Sequence, residues 1–133
     1  MLQLSSHERR TLASTPPSDR TIHLLRLWMH KEAIAKLLGT GSAEDFATLS
    51  FDLTPWDVST AGGAMVKQPP GALSTVGRSR CESLADVTLW EARLDGYGVV
   101  LAMRGSGSCA AVEVRRVAVA DVLDGARQVR AIV

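Results

Sequence analysis

The sequence predicts an α+β domain in which N-terminal helices pack on an antiparallel β-sheet of three to five strands, followed by a C-terminal helix. Three observations carry this. Residues 19–50 place apolar side chains at helical spacing, and residues 87–119 place them at strand spacing. Between them, residues 54–80 form a stretch of 27 in which 13 are Gly, Pro, Ser or Thr. A structureless segment that long is uncommon inside a compact domain. Neither flank is self-sufficient: the helices are too apolar to stand alone, and three strands need a cover on at least one face. The two halves are therefore expected to pack on each other as one domain over 1–133. Its parts are a helical region over about 5–50, a long internal loop over about 54–80, a β-rich region over about 86–119 and a helix over about 119–131.

Each element has a local reason. Ser5 and Glu8 have the spacing of a capping box, which predicts a short helix to about Ala13 that Pro16 and Pro17 terminate. Ser18 or Asp19 can cap the next helix, which runs to about Leu38, where Gly39 is placed to end it in a left-handed conformation. Leu24, Leu27, Trp28, Ile34, Ala35 and Leu38 recur on it at steps of three and four, and Ile22, Leu25 and Met29 widen the stripe beyond half the circumference. A second cap at Ser42 predicts a short helix to about Leu49, and Phe51 to Leu53 reads as a strand fragment. From Asp86 the period becomes two. Asp95-Gly96 is a hairpin turn signal, and Val99 to Met103 reads as a return strand buried on both faces. Ala110 to Val114 reads as a third strand. Val119, Val122, Leu123, Ala126, Val129 and Val133 fit a closing helix, although Asp124-Gly125 also fits a hairpin.

Composition narrows the function classes. At 133 residues with a net charge of +1, no global field favours nucleic acid, membranes or acidic partners. The chain has 12 Arg against 3 Lys, which a GC-rich genome produces regardless of function. No run of 18 apolar residues suits a membrane helix, and no apolar region follows a basic start as in a signal peptide. Cys81 and Cys109 then read as reduced thiols in a bacterial or phage-host cytoplasm.

Motifs for chemistry are sparse. His23 and His30 lie two helical turns apart, too far to share one metal ion comfortably, and read as partly exposed residues beside the apolar stripe. No metal site and no cofactor is expected. Cys81 follows Arg78 and Arg80, which would favour its thiolate, so a small enzyme using Cys81 with His7, His23 or His30 as base is one reading. Gly105-Ser106-Gly107-Ser108-Cys109-Ala110 matches a dinucleotide fingerprint only in its letters, because the alternating Val112-Glu113-Val114 follows where a helix is required. Arg9, Arg10, Arg20, Arg26 and Lys31 could meet DNA phosphates, but the next predicted helix begins with Glu44 and Asp45, which would repel the backbone. A nucleic-acid-binding regulator using Arg93, Arg104, Arg115 and Arg116 on one sheet face, with Trp90 and Tyr97 for stacking, is another reading.

The reading favoured at this level is a small non-enzymatic binding protein, a regulator, assembly subunit or inhibitor from a phage or other mobile element. It would act on a protein partner or on a second copy of itself through Trp28, Trp56, Met65, Val66 and Leu73.

Overall fold

The computed structural model describes residues 3–39, 46–54, 65–69, 71–75, 84–94, 97–105, 111–114 and 120. Their order is α1 (Ser6–Ser14), a 3₁₀ turn (Pro17–Asp19), α2 (Arg20–Leu38), a 3₁₀ turn (Phe46–Thr48), β1 (Leu49–Phe51), β2 (Val66–Lys67), β3 (Leu73–Thr75), β4 (Val87–Leu94) and β5 (Tyr97–Arg104). The arrangement is α+β, with two helices packed against two antiparallel sheets. One sheet pairs β1 with β3; the other has the order β2-β4-β5.

The local signals act as the chain predicts. Ser5 Oγ accepts from the Glu8 amide at 3.2 Å, while Glu8 Oε2 accepts from the Ser5 amide at 2.8 Å, completing the capping box. Gly39 closes α2 at φ 68°, a left-handed angle that most side chains resist. At the start of α2, Asp19 is the N-cap residue but its side chain makes no capping bond; the Pro17–Asp19 turn leads directly into the helix. β4 and β5 pair from Leu94↔Tyr97 to Val87↔Arg104, a register that leaves a two-residue connection.

Several expectations are corrected. Leu49 begins a strand rather than ending a helix, and with Phe51 it belongs to the main core. The stretch 54–80 is not structureless. Val66–Lys67 pairs with β4, and Leu73–Thr75 pairs with β1, so long-range partners supply the order that local propensity does not. The central strand of the larger sheet is β4, not the return strand, because β2 takes β4's second edge. Ala111 to Val114 contributes an isolated bridge at Glu113 and the acceptor for the Met65 amide at 2.9 Å. The expected closing helix over 119–131 lies outside the described residues, apart from a helical Ala120.

Two apolar clusters sit on opposite faces of β4. Leu27 and Ile34 of α2 meet Leu49, Phe51 and Leu89 in one. Met65, Trp90 and Ala92 form the other, with Val99, Leu101 and Met103 against them. Each fully buried aliphatic side chain contributes about 1.5–3 kcal/mol. α2 is turned so that Leu27, His30, Lys31, Ile34 and Ala35 face inward, while Ile22, Leu25 and Trp28 stay 45%, 50% and 47% exposed.

Candidate functional site

α2 contributes to two interior clusters of charge, because two of its five charged side chains, Arg26 and Lys31, are buried. Lys31 is fully enclosed. Its ammonium donates to the carbonyls of Gln3 at 3.0 Å, Phe46 and Leu49 at 2.9 Å, and lies 2.8 Å from Glu8 Oε2. Glu8, equally enclosed, accepts the Phe51 amide on Oε1 at 3.0 Å. Ser5 and Ser50 join the cluster through a hydroxyl–hydroxyl bond of 2.8 Å. Buried opposite charges with their remaining valences filled are tolerated where an isolated charge would not be. The cluster ties the segment before α1, helix α1, helix α2 and strand β1 together.

One turn earlier, Arg26 reaches β4. Its guanidinium grips Glu91 through Nε at 2.6 Å and Nη2 at 2.9 Å, a two-point contact suited to a carboxylate. Nη2 also donates to the Thr54 carbonyl at 2.8 Å. Gln68 donates to Glu91 Oε2 at 3.2 Å, and its own oxygen accepts from Thr54 Oγ1 at 3.3 Å. His30 completes the group. Its Nδ1 lies 2.8 Å from the Arg26 carbonyl, while Nε2 has no partner and stands 3.6 Å from Glu91 Oε2. Burial pushes the His30 imidazole below its ordinary value, against the opposing pull of its backbone bond and of Glu91. His23 is lowered by burial and by Arg26.

Glu32 and Lys36 differ from these. They lie four residues apart on α2, one half-buried and one exposed. Trp28 shares their side of the helix at the same spacing. A cleft of about 280 Å³ opens elsewhere, walled by Gln68, Ala72, Leu73, Leu84 and Thr88, with Lys67 as its charged wall. Among the described residues no three of His, Cys, Asp and Glu come together. The carboxylates of both buried clusters are already held by Lys31 and Arg26, so neither cluster fits a cation.

The residues singled out in the sequence are dispersed. Trp28 is half-exposed on α2 and Val66 is exposed in β2, but Met65 is buried against Trp90, and Leu73 packs against the main core. Trp56, Cys81, Arg115 and Arg116 lie outside the described residues. Arg93 and Arg104 are exposed at opposite ends of the β-hairpin, Arg104 being 3.7 Å from Asp86. Trp90 is buried and Tyr97 exposed. Arg26 and Lys31 are interior and cannot meet a nucleic-acid backbone. His30 is interior too, not a partly exposed residue beside the stripe.

A model of the 4'-phosphopantetheinyl transferase superfamily matches residues 2–85, more than half of the chain. The chain belongs to this superfamily. No curated protein and no solved structure matches it. The match spans α1, α2 and β1 to β3, including the whole Lys31–Glu8 cluster and, of the second cluster, Arg26, His30, Thr54 and Gln68 but not Glu91. Membership overturns the expectation of a non-enzymatic binding protein, regulator or inhibitor, because the superfamily is one of transferases. It favours the enzyme class among the alternatives, without bearing on Cys81. No helix among the described residues is long and apolar enough to cross a membrane.

One signal in the sequence could have marked the helix. Lys31 sits four residues after Leu27 and three before Ile34, squarely on the apolar stripe. A lysine on a core-facing stripe needs a buried partner, and Glu8 is that partner.

Proposed function

We propose that this protein transfers the 4'-phosphopantetheinyl group from a pyrophosphate donor of the coenzyme A type to a serine hydroxyl of an acyl carrier protein. The observation that carries the reading is the superfamily match over α1, α2 and β1 to β3. The reaction breaks the donor's pyrophosphate linkage, forms a phosphodiester to the serine oxygen, and releases the nucleotide portion as the leaving phosphate. It needs a base for the serine proton and positive charge beside the phosphoryl oxygens.

Glu32 and Lys36 have the right chemistry for those two tasks. Both lie on α2 away from the interior charge clusters, and no ion pair or side-chain hydrogen bond engages them among the described residues. A carboxylate can accept the serine proton, and an ammonium can neutralise charge developing on the phosphate. The two interior clusters would then act as the frame that fixes the rotation of α2. The exposed apolar row Ile22, Leu25 and Trp28 on the same helix is our candidate contact for the carrier protein.

The test is intact-mass spectrometry of an acyl carrier protein incubated with coenzyme A and this protein. The expected result is a mass gain of one phosphopantetheinyl group that disappears when the acceptor serine is replaced by alanine. Glu32→Gln and Lys36→Ala should each slow the transfer by roughly 10²–10⁴-fold with the fold intact. No gain with several carrier proteins, or full activity in both variants, would defeat the reading or the residue roles respectively.

A further inference from the structure

The geometry around His30 points to a device that the transfer reaction does not require, and it rests on this chain's geometry rather than on the transferase reading. Glu91 gathers two bonds from Arg26 and one from Gln68. Those same two residues hold Thr54: Arg26 Nη2 takes its carbonyl, and Gln68 Oε1 takes its amide at 3.4 Å and its hydroxyl at 3.3 Å. The position of one carboxylate on β4 therefore sets how the chain leaving β1 is pinned to α2.

His30 stands beside that carboxylate with one atom unused. The Arg26 carbonyl can only accept, so Nδ1 carries the hydrogen in their 2.8 Å bond. In the neutral ring Nε2 is then a bare lone pair. It is buried, has no partner, and faces Glu91 Oε2 at 3.6 Å. Two acceptors facing each other in the interior form no bond, and a proton between them would create a charge-assisted one, which closes to about 2.7–2.9 Å.

We propose that His30 and Glu91 form a proton-operated latch: proton uptake at His30 Nε2 draws Glu91 Oε2 toward the ring, and the grip of Arg26 and Gln68 on Thr54 slackens. Oε2 is the oxygen that serves both Arg26 Nη2 and Gln68, so its shift lengthens both bonds. The charged groups around His30 are few. Arg26 faces it from α2 and Glu91 from β4. β1 contributes the Phe51 ring, 5.4 Å away. α1 contributes Glu8, which is committed to Lys31. β5, which also packs on α2, carries titratable groups only at its ends, Tyr97 and Arg104. Burial holds the ring below its ordinary range and keeps it neutral near neutrality, so the latch is closed there and opens only as the pH falls below that range.

Nitrogen NMR of the full chain tests this, following the His30 ring and the amide exchange of Thr54 from about pH 7.5 downward until the chain unfolds, and unfolding with Nε2 still bare would overturn the latch. The expected result is that Nε2 gains a proton while exchange at Thr54, corrected for its intrinsic rate, rises about tenfold relative to the Ile34 amide. His30→Phe, which keeps a ring against Phe51 and removes both nitrogens, should abolish that pH response. Thr54 loosening in step with Ile34, loosening while Nε2 stays bare, or an unchanged response in His30→Phe would each overturn the latch. Should His30→Phe fail to fold, the ring titration and the Thr54-to-Ile34 ratio in the native chain decide the matter alone.

Discussion

Two networks of buried charge hang from the inner face of α2, and they are completed to different degrees. Around Lys31 the ammonium meets three carbonyls and a carboxylate, and Glu8 uses both oxygens. Around Arg26 the guanidinium and Glu91 are matched, yet His30 Nε2 is left without a partner. Buried ions are stable in proportion to how fully their valences are met. The first network should therefore behave as a fixed strut. The second has one vacancy, and a vacancy in a low-dielectric interior is where protonation changes most.

The strongest way to break the contrast is to remove Lys31. Lys31→Met leaves Glu8 charged and enclosed and orphans three carbonyls, so it should cost about 3–5 kcal/mol in urea denaturation. Adding Glu8→Gln should restore part of the loss, because the remaining charge is gone. A single-variant loss under about 1 kcal/mol would mean that water reaches the cluster and that it is no strut. Glu91→Gln comes next. The amide still accepts one bond from Arg26, but the guanidinium loses its counter-charge, and the cost should be about 2–4 kcal/mol.

Acid titration sharpens the comparison at smaller amplitude. The folded state holds His30 below its ordinary value of about 6.5, so below that pH the unfolded chain binds more protons. Stability should be fully present above about pH 6.5 and fall as pH drops through that value, until the folded-state ring titrates as well. His30→Phe should flatten that part of the profile in denaturation curves taken at successive pH values. A native profile with no slope there would show that the ring is not held neutral by burial.

Ser5→Ala tests the local end of the strut. It removes the oxygen that caps α1 at the Glu8 amide and also meets Ser50, so a loss of about 1 kcal/mol is expected in the same denaturation assay. The cap is also an instance of what the sequence discloses. Ser5 and Glu8, Gly39, and the Asp95-Gly96 connection are signals whose partners lie within four residues, and the elements they delimit are found where the chain predicts them. β2 and β3 escaped notice because their order comes from β4 and β1, far along the chain. The candidate site was hidden for a related reason. The apolar stripe of α2 covers more than half its circumference, so its inner face could not be phased from hydrophobicity, and Trp28 looked as central as Leu27. The charges settle the phase: Lys31 and Arg26 need partners 23 residues before and 65 residues after them, Glu8 and Glu91, and those partners lie inside.

The smallest stability effect belongs to the opposite face. Trp28 is 47% exposed, while Leu27 beside it is fully buried. Trp28→Ala should therefore change stability by no more than about 0.5 kcal/mol. If the row of Ile22, Leu25 and Trp28 meets the carrier protein, the same variant should raise the KM for that protein and leave kcat nearly unchanged. Uniform binding energy lost from a remote contact has that signature, whereas an interaction made only in the transition state lowers kcat. A fall in kcat with KM unmoved would place Trp28 at the chemistry with Glu32 and Lys36. No change in either constant would take the apolar row out of the reaction and leave Glu32 and Lys36 as the residues of α2 proposed for it.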